Sequence, residues 1–311
     1  MNKLGVSIVA GMLLAAAPAF SQNKILSGSL RGQGQAVVTV LPANDGDLKV
    51  DVSLQNLKLK VNGKESDVTG WKHLSTPASP VEMVLLIDGG ARSSIGTQFG
   101  EMQSFIKEMP TQTKLALAYM ENGRAALMGP LTANSDELVR ELHLPGAPAG
   151  SSASPYFCLS DLAHHWPSTD RAARRVVVMI TDGLDPYQRG FDPADPYVQT
   201  AIRDSVRAGM VVYSMYWHVL GRADSSAYGA NAGQSLLSMV TSATGGQSYW
   251  EGVGNPVSFE PFFTDIRRCL RNQYQLNFTA EPGKKPEVAT LKLHLEGVNA
   301  KVFAPEQVLV E

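Results

Sequence analysis

At 311 residues the chain is long enough for one large domain or two modest ones, with ample length for a proper core. Its 27 Lys+Arg against 29 Asp+Glu leave a net charge of −2, and no basic run stands out, which removes the electrostatic case for a nucleic-acid partner. Charged residues are only 18%, so Ser, Thr, Gly and Gln carry much of the polar surface, a mixture suited to an exported protein.

The first residues have the form of an export signal. Lys3 gives a short positive region, Val6 to Ala17 is apolar, and Ala19 and Ser21 place small residues three and one before a cut ahead of Gln22. The apolar stretch is shorter than the roughly 20 residues a membrane span needs, and nothing later is longer. Residues 1–21 are therefore expected to be a signal peptide, with the mature chain in the periplasm or outside the cell and not integral to a membrane. Cys158 and Cys269 each fall on an expected helix among apolar neighbours, which favours two buried thiols over a disulfide.

After the signal, Ala36 to Leu41 reads as a strand, Leu48 to Val61 alternates apolar and polar residues, and Asn62-Gly63 is a hairpin turn. Trp71 to Pro80 reads as a linker. Val81 to Ile87 is a continuous apolar run that ends in Asp88; its echo, Arg175 to Thr181, ends in Asp182-Gly183. Such runs fit parallel strands buried on both faces. Between them come a helix over Ile95 to Met109, a hairpin about Glu121-Asn122-Gly123 that places an antiparallel strand at a sheet edge, and a helix capped by Asn134 or Ser135. A Gly/Ala/Ser/Pro loop over Pro145 to Pro155 leads into a helix over Tyr156 to Trp166. Tyr197 to Ala208 predicts a helix and Met210 to Trp217 a third buried strand. A small-residue loop to Asn231, a helix near Gln234 to Ser242, a short strand to Trp250 and a helix through Phe259 to Leu270 follow. Three strand runs close the chain: Tyr274 to Phe278, Ala289 to Leu295 and Ala300 to Val310.

Strands alternate with helices only over 80–271, so that segment is expected to be an α/β domain with a doubly wound, mostly parallel sheet. Residues 22–79 and 272–311 are expected to pair as a small β-domain into which it is inserted. Two strands that deliver Asp88 and Asp182 to one edge propose a site, since ligands of open α/β sheets sit beyond the carboxyl ends of the strands.

These residues resemble the von Willebrand factor A domain over about 80–271. The resemblance is carried by Val84-Leu85-Leu86-Ile87-Asp88 before a Gly/Ser loop, by Val177-Val178-Met179-Ile180-Thr181-Asp182-Gly183, by Ala208-Gly209-Met210-Val211-Val212-Tyr213 and by Ala243-Thr244-Gly245-Gly246. With Leu57 to Lys64 before it and Asn272-Gln273-Tyr274 after it, the chain is similar to exported bacterial proteins with related domains. The resemblance implies a non-catalytic binding module. Members that bind Mg²⁺ use Asp-x-Ser-x-Ser, a Thr from a second loop and a later Asp, a hard oxygen set. Here Asp88 and Asp182 match the two aspartates, Gly90 and Arg92 stand at the two serine positions, and Ser154 or Ser152 stands in for the threonine. No metal is therefore expected; if one binds, Asp88, Ser154 and Asp182 would hold Mg²⁺. Arg92 is expected to pair with Asp88 or Asp182 in place of the ion, through its bidentate fork.

The ligand-binding pole is thus Asp88, Arg92, Ser154, Asp182 and Asp185, facing a protein or cell-envelope ligand, with no cofactor. Asp185, Asp192 and Asp195 lack calcium-loop spacing, and Pro186, Pro193 and Pro196 make the stretch a stiff exposed loop. His164-His165 diverge by about 100° on a helix and make a poor metal pair. Ser151 to Ser154 lacks the Gly-x-Ser-x-Gly frame of a nucleophile. Trp217-His218, Tyr228 and Tyr249-Trp250-Glu251 are candidates for a binding surface, against a simpler role in core and rim. The alternative is a phosphoryl or ester hydrolase with Asp88 as nucleophile; Gly90 stands where such chemistry places its second carboxylate.

Overall fold

The computed structural model describes residues 32–44, 50–74, 79–91, 93–146, 153–188, 190–218, 226–281 and 283–311; the expected signal peptide lies outside them. The strands are β1 (Gln33–Pro42), β2 (Leu57–Val61), β3 (Lys64–His73), β4 (Val81–Asp88), β5 (Thr113–Glu121), β6 (Arg124–Leu127), β7 (Arg174–Thr181), β8 (Met210–Tyr216), β9 (Ser248–Tyr249), β10 (Gln273–Thr279), β11 (Glu287–Leu295), β12 (Ala300–Phe303) and β13 (Gln307–Val310). The α-helices are α1 (Phe99–Glu108), α2 (Ser135–Glu141), α3 (Pro155–His164), α4 (Pro196–Arg207), α5 (Ala227–Thr244) and α6 (Glu260–Arg271).

The apolar run of β4 is buried at every position because both of its faces are covered. Met83, Leu85 and Ile87 pack under α1 and α6, whereas Val84 and Leu86 pack under α3, α4 and α5. A strand with no solvent face has no use for alternation, which is why its sequence reads as a continuous run. The sheet order is β6-β5-β4-β7-β8-β9, parallel except for β6, which pairs antiparallel with β5 at the edge. Cys158 and Cys269 lie on opposite sides of this sheet, both buried and not joined in a disulfide.

The expected architecture, a doubly wound, mostly parallel sheet inserted in a small β-domain, is corrected by the structure. The chain ends close into a six-stranded antiparallel barrel, β10-β3-β2-β11-β13-β1, sealed by β1 pairing with β10 from Gln33↔Thr279 to Thr39↔Gln273; the second sheet is mixed. Closure follows from β1, whose ten residues bond along both edges: β10 on one, β13 at Gly34↔Val310 and β12 from Thr39 to Pro42 on the other. Alternation shows which face of a strand is buried and says nothing about its second edge. Val38, Val40, Leu59, Val61, Leu276, Phe278 and Leu291 fill the barrel.

Smaller differences have local causes. The expected linker at Trp71 is still β3, where Trp71 stacks on Tyr274 at 4.6 Å. The last strand run breaks around Pro305, which offers no N–H to a ladder. Helix α5 starts at Ala227, well before the expected Gln234, with Ser226 Oγ accepting the Gly229 N–H at 3.1 Å as its cap. Its small residues look like a loop in sequence and serve as a contact face in the fold.

Barrel and mixed sheet meet at the amino ends of the parallel strands. Arg174 donates through Nη1 to the Leu270 carbonyl (3.0 Å) and Gln273 Oε1 (2.6 Å), and through Nη2 to the Ser79 carbonyl (3.1 Å). Burial lowers its pKa to about 10, so the guanidinium stays charged at neutral pH.

Candidate functional site

At the opposite, carboxyl edge, β4 and β7 end side by side. Ile87 pairs with Ile180, so Asp88 lies next to Thr181, whose hydroxyl donates to Asp88 Oδ2 at 2.7 Å. Asp88 Oδ1 accepts the Gly90 N–H at 2.9 Å, and its carbonyl accepts the Ala91 N–H at 2.9 Å, which turns the chain off the sheet. Asp88 has no exposed surface. A buried carboxylate is tolerable only with such partners, since an unpaired one would cost several kcal/mol (on the order of 3–5).

The chain after β7 is shaped the same way. Asp182 Oδ1 accepts the Leu184 N–H at 3.0 Å, and Asp185 Oδ1 accepts the Tyr187 N–H at 2.9 Å; both residues are buried. Gly183, between them, has φ of 69°, and a Cβ there would lie 2.6 Å from the Gly233 carbonyl and 2.5 Å from Leu237. Conversely, a Cβ on Gly233 would lie 2.0 Å from the Asp182 carbonyl. The small-residue face of α5 is thus seated on the end of β7, and only glycine fits at either position.

Ser154 is buried and caps α3, its Oγ accepting the Tyr156 N–H at 3.3 Å. The Tyr156 hydroxyl donates to the Gly183 carbonyl at 2.6 Å and ties the Ser154 loop to the same strand end. The structure therefore brings Asp88 and Asp182 to adjacent strand ends and links Ser154 and Asp185 to them through Gly183 and its loop. Arg92, expected to pair with a carboxylate here, lies outside the described residues, as does Ser152. Gly90, at the first of the two serine positions, has no hydroxyl and gives its backbone N–H to Asp88 Oδ1. Among the described residues no three His, Cys, Asp or Glu side chains gather as a metal group. Burial, with the Asp182 charge adding to it, pushes the nearby Tyr216 hydroxyl up to about 12.

The loop expected to be exposed is only partly so. Asp195 is buried and caps α4 by accepting the Tyr197 and Val198 N–H groups at 2.8 and 3.2 Å, while Asp192 takes the Ala194 N–H at 2.8 Å. These are local caps and turns. His164 Nε2 lies 3.1 Å from Asp204 and His165 Nδ1 3.0 Å from Asp161, each on a separate carboxylate. Trp217, a candidate surface residue, is buried against Phe259 at 5.3 Å; Tyr249 is tied to Asp265 at 2.8 Å; Trp250 and Tyr228 are exposed. Sequence reasoning passed over Thr181 and Tyr156. The first carries a signal, a hydroxyl directly before the aspartate of the strand end; the second carries none, because its partner is a backbone carbonyl.

No family model matches the chain, and no curated protein matches its sequence. Among solved structures it is similar to an aerotolerance-related membrane protein from Bacteroides fragilis, at 13% identity and TM-score 0.43 over 61% of this chain and 98% of that one. It is also similar to the pilus adhesin SpaC from Lactobacillus rhamnosus GG, at 9% identity and TM-score 0.45 over 84% of this chain and 49% of that one. A third is proximal thread matrix protein 1 of the mussel byssus, at 13% identity and TM-score 0.39, covering 67% and 49% of the two chains. Scores this low assign neither family nor function. No helix among the described residues is long and apolar enough to cross a membrane.

Proposed function

We propose that the protein is an exported, non-catalytic binding or scaffolding module that engages a protein or cell-envelope ligand through the pole at the carboxyl ends of β4 and β7. One observation carries this reading: the buried Asp88 carboxylate gives one oxygen to Thr181 across the strands and the other to Gly90. A carboxylate committed on both oxygens shapes a rim and is poorly placed as a nucleophile. In this reading the pole works without an ion, since the sequence has Gly90 and Arg92 where hydroxyl ligands would be needed, and the first 21 residues direct export to the periplasm or beyond.

The test is capture from envelope extract by wild type and by the Gly90→Ser/Arg92→Ser double variant, with and without Mg²⁺. Metal-independent capture by wild type that fails with Asp182→Ala supports the reading. Capture by wild type that EDTA abolishes overturns its metal-free part. Phosphatase or esterase turnover that disappears in Asp88→Asn overturns the non-catalytic part.

A further inference from the structure

Four exposed large apolar side chains lie on the loop after β7 and in the first turns of α4 and α5. Tyr187, Phe191, Tyr197 and Tyr228 are 59, 48, 39 and 68% exposed. Phe157 of α3, Tyr187 of the loop and Tyr197 of α4 form a closed ring cluster, with centroids 5.3, 4.8 and 5.9 Å apart. Tyr228, in the first turn of α5, reaches over the same loop: a Cβ on Gly190 would lie 2.9 Å from its hydroxyl. Tilted and edge-on contacts hold these rings against one another, so the platform is set before any ligand arrives. The two strand ends and the loop after β7 have an acid excess in sequence even with the pole's arginine counted: Asp88, Asp182, Asp185, Asp192 and Asp195 against Arg92 and Arg189.

Aromatic faces carry the negative side of a quadrupole, and a net acidic charge on the same loop and strand ends adds potential of the same sign. We infer that this tyrosine platform receives an arginine or lysine side chain from a basic segment of a partner protein, stacked on the faces of Tyr187 and Tyr197. The inference rests on the binding role proposed for the pole and names the chemistry of its ligand. Charge complementarity selects a cation over a neutral occupant, because an uncharged ligand would gain nothing from the acid excess.

The experiment is fluorescence anisotropy of a labelled hexa-arginine peptide with the full chain, at low salt and at about 0.15 M salt. Tyr187→Leu and Tyr197→Leu keep apolar bulk and remove the quadrupole; each is expected to weaken binding two- to fivefold. Tyr187→Phe, which keeps the ring, is expected to bind as wild type does. An unchanged urea midpoint shows that each variant is folded, as the exposure of these rings leads one to expect. No peptide binding, or Leu variants equal to wild type, overturns the inference. So does a Phe variant as weak as the Leu variant, since recognition would then lie in the hydroxyl, as a glycan would use it. Capture from envelope extract separates the two readings. Capture that survives in Tyr187→Leu/Tyr197→Leu, with no peptide binding by wild type, removes the cationic ligand and leaves the pole. Absence of capture by wild type removes the pole itself.

Discussion

The two edges of the mixed sheet treat buried charge in different ways. At the amino edge the Arg174 guanidinium bonds groups 95, 96 and 99 residues away in sequence, in the segment before β4, in α6 and in β10. At the carboxyl edge Asp88, Asp182 and Asp185 each bond the N–H of the residue two positions on, while the Asp88–Thr181 contact, 93 residues apart, and the Tyr156–Gly183 contact, 27 apart, join elements. The first arrangement is a lock: one cation satisfies carbonyls and an amide from three parts of the chain and fixes the barrel against the sheet. The second is a set of local folds held by carboxylates, with the Asp88–Thr181 cross-brace and the Tyr156 tie between them. Loops that carry their own hydrogen bonds hold their shape without help from the core, as the binding role proposed for this edge requires. The lesson is that a buried charge reports on assembly when its partners are distant and on loop shape when they are near.

The largest effect is expected where that contrast is sharpest. Arg174→Met leaves the Leu270 and Ser79 carbonyls and the Gln273 amide oxygen buried without their donor, at about 1–3 kcal/mol for each group not rescued by water, and about 3 kcal/mol in all. Urea unfolding measures it. Arg174→Lys should recover only part, because one ammonium does not reproduce a two-nitrogen fork. A loss below about 1 kcal/mol would mean that the amino edge is no lock.

Next comes the seat of α5 on the carboxyl edge. Gly233→Ala puts a methyl 2.0 Å from the Asp182 carbonyl, so helix and strand end must separate. About 2 kcal/mol of stability should be lost, with the pole disturbed as well. Gly100→Ala in α1, where nothing lies within 4 Å, is the matched control and should gain about 0.5–1 kcal/mol from helix propensity alone. Equal responses of the two variants would remove the argument that the small residues of α5 serve as a contact face.

Much of this was legible in the chain, and what was not has identifiable causes. The continuous run of Val81 to Asp88 announced a strand covered on both sides, and Asn62-Gly63 announced its hairpin, since its φ values of 48° and 78° are those such a turn requires. Barrel closure was hidden because it depends on the second edge of β1, and hydrophobic alternation carries no edge information. The start of α5 was hidden because Tyr228 to Gly233 has the composition of a loop, and only the approach of Asp182 shows why glycine and alanine are needed there. At the pole, Asp88 and Asp182 were marked by their strand ends. Tyr156 was not, because a bond to the Gly183 carbonyl places no constraint on any residue type that sequence could reveal.

A smaller effect tests the cross-brace. Asp88→Asn can still accept the Gly90 N–H through its amide oxygen, while the amide nitrogen must turn the Thr181 hydroxyl from donor to acceptor. A loss of about 1 kcal/mol is expected, against about 2–3 kcal/mol for Asp88→Ala, which leaves both buried donors unmet. Thermal or urea unfolding of the pair gives the ratio. Similar losses for the two variants would show that the negative charge, and not the hydrogen-bond geometry, is what the strand ends require.

The smallest effect at neutral pH is also the most specific. Tyr216, buried near Asp182, has its hydroxyl raised from 10.0 to about 12, so the folded state keeps that proton longer than the unfolded chain does. Its contribution is therefore complete below pH 10 and is lost as the pH rises through 12. Tyr216→Phe removes that loss: wild type and variant should match near neutrality, and the variant should be the more stable by pH 12, as urea midpoints across this range would show. Asp182→Asn in the wild-type background should shrink the difference, because the Asp182 charge is the second cause of the shift after burial. Arg174 moves the other way. Its pKa is lowered from 12.5 to about 10, so in that window the unfolded chain binds the extra proton and the contribution of Arg174 to stability rises with pH. Alkaline titration thus reads the two edges with opposite sign, and a Tyr216→Phe variant that loses stability above pH 10 in parallel with wild type would place the titrating group elsewhere.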